Sequence, residues 1–319
     1  MKIAFHSNQL GERGTEVALY DYAYFNESLL NNKSIIISKK SSNLVSLDKF
    51  KKRFKVFLYE DFSEVDGFLE KENANIFYAI KAGHKDGIAP KVCKTVVHCV
   101  FDVSEPHGDV YAAISESLAE KSRDYVSVVP HMINLPDTEN NFRKTLAIPD
   151  DAIVFGRHGG FDTFDIDFVY KVIKKIVKKR KDIYFLFLNT KPFYKNWFSR
   201  SHQQIIHLSS TTDLFKKVEF INTCDAMLHA RKKGETFGIA VGEFSIKNKP
   251  IFTWRDSKDK AHLKILKDKA IIYNDQSHLY RLIQEFDPNW YQTQNWDAYS
   301  LEYSPQKVMA SFEEVFLGG

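Results

Sequence analysis

Short, uninterrupted apolar runs recur along the whole chain, and stretches with helical periodicity separate them. Strand candidates of this kind, several of them continuously apolar, lie at 2–6, 34–38, 56–59, 76–80, 95–100 and 110–114, and a second series follows at 152–155, 184–188, 205–208, 226–229 and 250–254. A run that is apolar at every position, rather than at every second one, marks a strand covered on both faces. That is the situation in a parallel sheet flanked by helices. Val17, Tyr20 and Tyr24 share one helical face after the first run, and 167–181 and 238–246 also read as helices. The alternation predicts an α/β architecture with parallel sheets.

A length of 319 residues suits about two domains. The break between the two series falls near Val129 to Pro136, where two prolines precede the polar stretch 137–141, a composition that suits a linker. The expected domains are therefore 1–134 and 135–303. A last helix spans 304–319, with Ser304 as N-cap, Pro305 at its first position, and Val308, Phe312, Val315 and Phe316 on one face.

With 44% hydrophobic residues the chain can bury two cores, and its formal charge of +4 is too weak to argue for nucleic acid. The densest basic run, Lys174, Lys175, Lys178, Lys179, Arg180 and Lys181, interleaves with Val172, Ile173, Ile176 and Val177. It reads as the solvated face of an amphipathic helix, with peripheral membrane contact as the alternative. Cys93, Cys99 and Cys224 match no zinc or redox spacing and are expected reduced and buried. The start of the chain does not read as a signal peptide and no stretch approaches the ~20 apolar residues of a membrane span, so a cytoplasmic protein is expected. No phosphate-binding loop of the G-x-x-x-x-G-K-[ST] type and no nucleophile elbow occurs.

The segment 224–244 carries the most chemistry. A strand leads into the charged loop His229-Ala230-Arg231-Lys232-Lys233-Gly234-Glu235, and Thr236-Phe237-Gly238 opens a helix. A helix start offers free amides and a positive dipole end to an anion such as phosphate. Glu235 and Glu243 lie eight residues apart around that start, at most ~12 Å along a helix. Glu235 is placed to bind sugar hydroxyls and Glu243 to bind ribose, with the amides between them on a diphosphate. Against this stands the plainer reading of two glutamates as a first-turn charge and a solvated helix residue.

The context Gly-Glu-Thr-Phe-Gly decides for the first reading, because this segment resembles the E-x7-E signature of retaining GT-B glycosyltransferases of the family 4 type. Gly11 to Glu16, including Gly14, resembles their glycine-rich first loop. Residues 95–98 resemble a strand whose final residue, His98, reaches the donor sugar; a satisfied core histidine is the alternative. Ile153 to Arg157 resembles the opening strand of their second domain, and Arg157 is then a diphosphate ligand rather than an exposed loop residue. Asn189 stands by position where nucleoside contacts occur. The chain departs from that pattern in lacking a lysine shortly after Arg157, so Arg231 or Lys233 is expected to supply the second cation. Asp165 and Asp167 form a D-x-D, read here as first-turn helix charge and not as a metal site.

The resemblance implies a GT-B fold: two Rossmann-like, doubly wound domains facing a central cleft, with the last helix packing back on the first. It implies a UDP- or GDP-sugar donor, a glycan, lipid-linked or protein-linked acceptor, and retention of configuration without metal or other cofactor. Glu235 and His98 would act on the sugar. Arg157, Arg231, Lys233, Thr236, Phe237, Gly238, Glu243, Asn189 and Gly14 would hold the donor. A non-catalytic nucleotide- or sugar-binding scaffold and a sugar-nucleotide epimerase are the alternatives on the same fold.

Overall fold

The computed structural model describes residues 1–193 and 203–318. Two compact units emerge, one from Met1–Met132 together with the segment from Glu302, the other from Ile133–Leu301. The elements of the first unit, in chain order, are β1 (Lys2–His6), α1 (Gly14–Ser28), β2 (Lys33–Lys39), α2 (Leu47–Lys51), β3 (Lys55–Tyr59), α3 (Glu64–Glu72), β4 (Ile76–Lys81), β5 (Lys94–Cys99), β6 (Val110–Ala113), α4 (Glu116–Ala119) and β7 (Ser127–Val128). Those of the second are β8 (Ile153–His158), α5 (Asp167–Lys179), β9 (Ile183–Leu188), β10 (Ile205–Leu208), α6 (Leu214–Thr223), β11 (Ala226–Leu228), β12 (Gly234–Glu235), α7 (Ile239–Ile246), β13 (Ile251–Trp254), β14 (Asp259–Lys260), α8 (Ala261–Leu266), β15 (Ala270–Tyr273), α9 (Gln276–Gln284) and α10 (Pro288–Gln292). The chain then returns to the first unit as α11 (Pro305–Phe312).

Each unit is built on a parallel sheet. The first runs β3-β2-β1-β4-β5-β6-β7 and the second β10-β9-β8-β11-β13-β15. Strand order therefore reverses beside β1 in one sheet and beside β8 in the other. Such a switch point opens a crevice at the C-terminal strand ends, where α/β sheets bind ligands. Strands such as β4 and β8 are buried at every position: their apolar stretches Ile76–Ile80 and Ile153–Phe155 are covered on both faces, and the polar residues that end them, Lys81, Arg157 and His158, are buried as well. This is the doubly wound arrangement expected of a GT-B fold.

Helix α5 buries Val169, Val172, Ile173, Ile176 and Val177 and exposes Lys171, Lys175, Lys178 and Lys179. The solvated-face reading of the basic run thus fits, and Lys175 lies 4.2 Å above the Tyr280 ring. The helix stops at Arg180, which turns extended and pairs with Asp182. In the first unit, α11 returns Phe312 to a stack on Tyr22, with ring centroids 5.3 Å apart, and the π-helical turn after it, Glu313–Leu317, brings Phe316 to the edge of His98 at 5.3 Å. The aromatic core of that unit is thus assembled from both ends of the sequence. Among the described residues no helix is long and apolar enough to cross a membrane. All three cysteines are free, Cys99 and Cys224 buried and Cys93 half-buried.

Candidate active site

The C-terminal strand ends of the second unit deliver one polar group after another to the same edge. Strand β8 ends in Arg157 and His158, β9 leads into Asn189 and Thr190, β11 leads into His229 and Arg231, and β13 carries Thr253. The loop after β11 is stapled rather than free. Asp165 accepts from the Lys232 amide at 2.7 Å, the Asp259 amide donates to the Lys233 carbonyl at 2.7 Å, and the Ser257 hydroxyl donates to the Arg231 carbonyl at 3.1 Å. Asp165 is thereby spent on the loop, and Asp167 is the first residue of α5, with Lys232 Nζ 3.5 Å away.

Two glycines make the next turn possible. Gly234 has φ +70°, and a Cβ there would lie 2.0 Å from the Asp259 carbonyl oxygen, so only glycine lets β12 pair with β14. Gly238 has φ +96° and is the N-cap of α7, so the helix begins one residue later than the periodicity suggested. A Cβ on Gly238 would meet His262 Cβ at 3.2 Å and Glu235 Cβ at 3.4 Å. The chain therefore folds Glu235 tightly over the start of α7. Residues 296–299 hold that helix from the far side, with the Ser245 hydroxyl donating to the Trp296 carbonyl at 2.9 Å and Tyr299 Oη donating to the Phe237 carbonyl at 3.2 Å.

Glu235 receives Arg231 Nη1 at 2.7 Å on one carboxylate oxygen and faces His229 Nε2 at 3.2 Å with the other. Burial pushes its acidity down, but His229 and Arg231 outweigh that and hold its pKa at about 2. Its side chain keeps 20% of its surface open, so an ionised, anchored carboxylate is still presented to solvent. Arg157 is buried, and burial lowers its pKa to about 10, which leaves it cationic at neutral pH. Its guanidinium donates to Thr190 Oγ1 at 2.5 Å, to the Gly160 carbonyl at 3.0 Å and to Thr163. Arg157 thus ties the loops after β8 and β9 together while lending positive potential to Glu235. Asn189, in the left-handed region at φ +49°, donates to the Gly159 carbonyl at 3.0 Å and locks the same pair of loops.

The second glutamate, read from sequence as a ribose ligand, is enclosed by partners of its own. Glu243 is 3% exposed; Lys217 Nζ donates to one oxygen at 2.7 Å, and His158 Nε2 stands 3.0 Å from the other. Burial raises the carboxyl and these two partners reverse the effect, leaving its pKa at about 2. A ribose reaches this carboxylate only if one partner moves aside. Lys217 and His158 escaped the sequence reading: Lys217 sits in the charged patch of an ordinary amphipathic helix, and His158 in a strand end read for its neighbour. Thr236 and Phe237 are buried, with the Phe237 ring at the edge of Tyr299, so any ligand contact from this stretch falls to the main chain. Lys233 is exposed.

Two expected residues belong to the first unit. His98 is corrected: its surface is wholly covered, Nδ1 is 2.6 Å from Tyr78 Oη and Nε2 is 2.7 Å from the Val129 carbonyl. Burial holds its pKa near 3, so it is a neutral core histidine with both nitrogens occupied and no surface left for a sugar. Gly14 opens α1, but the carboxylate of Glu16 folds back onto the Arg13 amide at 3.2 Å. The chain's own acid thereby fills the anion position at that helix start.

No protein-family model matches the sequence, and no curated protein matches it. Solved structures do. Over the full length of both chains it is similar to HepE of Anabaena in complex with UDP-glucose, with a TM-score of 0.75 at 12% identity. It is similar to a glycosyltransferase from Rickettsia africae, with a TM-score of 0.66 at 12% identity, over 98% of this chain and 94% of that one. It is also similar to WaaG, a glycosyltransferase involved in lipopolysaccharide biosynthesis, with a TM-score of 0.65 at 11% identity, over 99% and 100% of the two chains. At such identities the likeness is one of fold, and the fold is GT-B.

Proposed function

We propose that this chain is a cytoplasmic glycosyltransferase of the retaining, family 4 kind, which moves a sugar from UDP or GDP to a glycan or glycoconjugate without a metal ion. The observation that carries the reading is the Arg231–Glu235 pair at 2.7 Å, held over the start of α7 with Arg157 close behind. A nucleotide sugar offers neutral hydroxyls at one end and a dianionic diphosphate beside it. Glu235, ionised and partly open, suits the hydroxyls. Arg231, Arg157, Lys233 and the first amides of α7 suit the diphosphate. The likeness in fold to HepE, whose structure holds UDP-glucose, supports the same class of donor.

Breaking the anomeric bond leaves negative charge on the diphosphate and positive charge on the sugar. Fixed donors aimed at the leaving oxygens stabilise that separation without reorganising. Glu235 orients the sugar and its charge favours the cationic carbon. Glu243 with Lys217 and His158 stiffens the floor under α7 and meets the ribose on exchange of the His158 contact.

The lack of a lysine shortly after Arg157 favours a second reading, a protein that binds the nucleotide sugar without turnover. One experiment covers both. Thermal unfolding is followed with UDP, GDP, UDP-glucose and GDP-mannose, in EDTA and in magnesium, and release of nucleoside diphosphate is assayed in parallel. A ligand at 100 times its Kd adds roughly 2.7 kcal/mol to stability. Stabilisation that survives EDTA, with acceptor-dependent release, supports the transferase. Stabilisation without release by any glycan acceptor supports the binding protein. No stabilisation at millimolar ligand rules out both.

A further inference from the structure

Behind Glu235 runs a chain of buried groups that the proposed reaction does not yet use. His229 Nε2 is 3.2 Å from Glu235 Oε1, and His229 Nδ1 is 3.0 Å from Thr253 Oγ1. Thr253 Oγ1 is in turn 2.9 Å from His262 Nε2. His229, Thr253 and His262 are almost wholly covered, and the two imidazoles lie 4.7 Å apart. His262 Nδ1, at the far end, is buried with no hydrogen-bond partner. Gly238 lets this end of the relay pack closely: a Cβ there would meet His262 Cβ at 3.2 Å.

The positions of the protons follow from counting donors. Burial keeps His262 neutral, at a pKa of about 3, so it owns one N–H. If that proton sits on Nε2 it is donated to Thr253. The threonine hydroxyl then donates to His229 Nδ1, and His229 donates from Nε2 to the carboxylate. Every donor meets an acceptor and only a lone pair on His262 Nδ1 is left over. If the proton sits on Nδ1 instead, a buried N–H is orphaned and Thr253 must turn round. His229 then either carries a second proton or points a lone pair at a carboxylate. Leaving a buried donor unpaired is costly, so the first arrangement holds.

We propose that His262, Thr253 and His229 form a one-directional hydrogen-bond relay that ends on Glu235 and positions it as a pure acceptor for two neighbouring hydroxyls of the transferred sugar. A carboxylate offers about four lone-pair sites. Arg231 takes one on one oxygen and His229 takes one on the other. One site per oxygen remains, on a group held at both oxygens. That geometry fits a vicinal diol of a neutral hexose or pentose. The three residues touch no substrate and act by positioning. The sugar part of this inference rests on the glycosyltransferase reading; the direction of the relay does not.

The test has two arms. In the first, histidine-labelled protein without ligand is examined by nitrogen NMR at pH 7, where His229 and His262 must both be protonated on Nε2 alone. A proton on Nδ1 of either ring overturns the relay. In the second, affinities for UDP, UDP-glucose, GDP and GDP-mannose are measured by calorimetry for wild type, Thr253→Val and Thr253→Ser. Valine keeps the shape and removes the hydroxyl; serine keeps the hydroxyl. The expected result is a loss of about tenfold in affinity for the nucleotide sugar in the valine variant, with affinity for the bare nucleotide unchanged and serine restoring the nucleotide-sugar affinity. An unchanged preference for the nucleotide sugar in Thr253→Val overturns the positioning role, as does an equal loss for nucleotide and nucleotide sugar. If wild type binds none of the four compounds, the glycosyltransferase reading fails and the role of the relay toward a sugar fails with it, while the spectra still decide its direction.

Discussion

Lys217→Met isolates the energetic role of the buried ion pair. At neutral pH Glu243 is ionised although almost no water reaches it. Burial raises its pKa, but Lys217 and His158 bring it from 4.5 to about 2, and a displacement of that size corresponds to roughly 3 kcal/mol. Taking away the cation strands a buried carboxylate, for which the cost is roughly 3–5 kcal/mol. Methionine fills most of the volume of the lysine stem, so packing loss adds little. For a unit of this size each kcal/mol moves the melting temperature by roughly 2–4 °C, giving a drop of about 10 °C. The tryptophans at 197, 254, 290 and 296 all lie in the stretch 133–301, so urea unfolding followed by tryptophan fluorescence reads this unit alone. The pair Lys217→Met and Glu243→Gln completes a double-mutant cycle, and the double variant should recover roughly 2–3 kcal/mol relative to additivity. Because the folded pKa is depressed, the stabilisation is present above pH 4.5 and is lost as pH falls toward 2. Should Lys217→Met unfold within about 1 kcal/mol of wild type at pH 7, the pair does not neutralise a buried charge and the reasoning fails.

Three further outcomes follow from the same physics. His6, His98 and His262 all have folded pKa values near 3 because of burial, so the unfolded chain binds more protons between pH 6.5 and 3; stability should fall by about 1.4 kcal/mol per pH unit for each on acidification below 6.5, and a melting temperature that stays flat from pH 6.5 to 4.5 contradicts it. Gly234→Ala forces a Cβ to 2.0 Å from the Asp259 carbonyl oxygen at a positive φ, which should cost roughly 1–3 kcal/mol or more by calorimetry and abolish nucleotide-sugar binding. Arg157→Lys keeps the charge and loses the fork that holds Thr190, Gly160 and Thr163; titration calorimetry should show nucleotide affinity lowered by about tenfold, and an unchanged affinity would falsify the view that the fork shapes the site.

The central strands of both sheets were legible because most of them carry a short apolar run, a signal that needs no tertiary context; the edge strands β7 and β15 and the short pair β12 and β14 were not read. The helix over 167–181 was legible for the same reason, its apolar positions recurring at the helical period. The site was legible where backbone geometry dictates residue type, at Gly234 and Gly238, and where a charged loop meets a helix start, at Arg231 and Glu235. It was not legible where function depends on groups brought from separate strands. Thr253 and His262 lie 18 and 27 residues beyond Glu235, and nothing in either local pattern marks them as partners of His229. His98 shows the opposite error. A histidine at a strand end looks available, and only the arrangement of Tyr78, Val129 and Phe316 around it reveals that both nitrogens are occupied. Lys217 was hidden because a buried lysine and a solvated one look alike until the partner carboxylate is found.

The return of α11 to the first unit sets an order for biosynthesis. Tyr22, Tyr78 and His98 leave the ribosome well before the rings that cover them, Phe312 and Phe316. Roughly 180 residues separate Met132 from that cover, which at ~5–20 residues per second leaves an open aromatic face on the nascent chain for about 10–40 s. The second unit lies wholly within 133–301 and has all of its sequence before the first can close. On the ribosome the half that begins later is thus the half able to finish first, and the early half waits, exposed to chaperones, for the segment from Glu302.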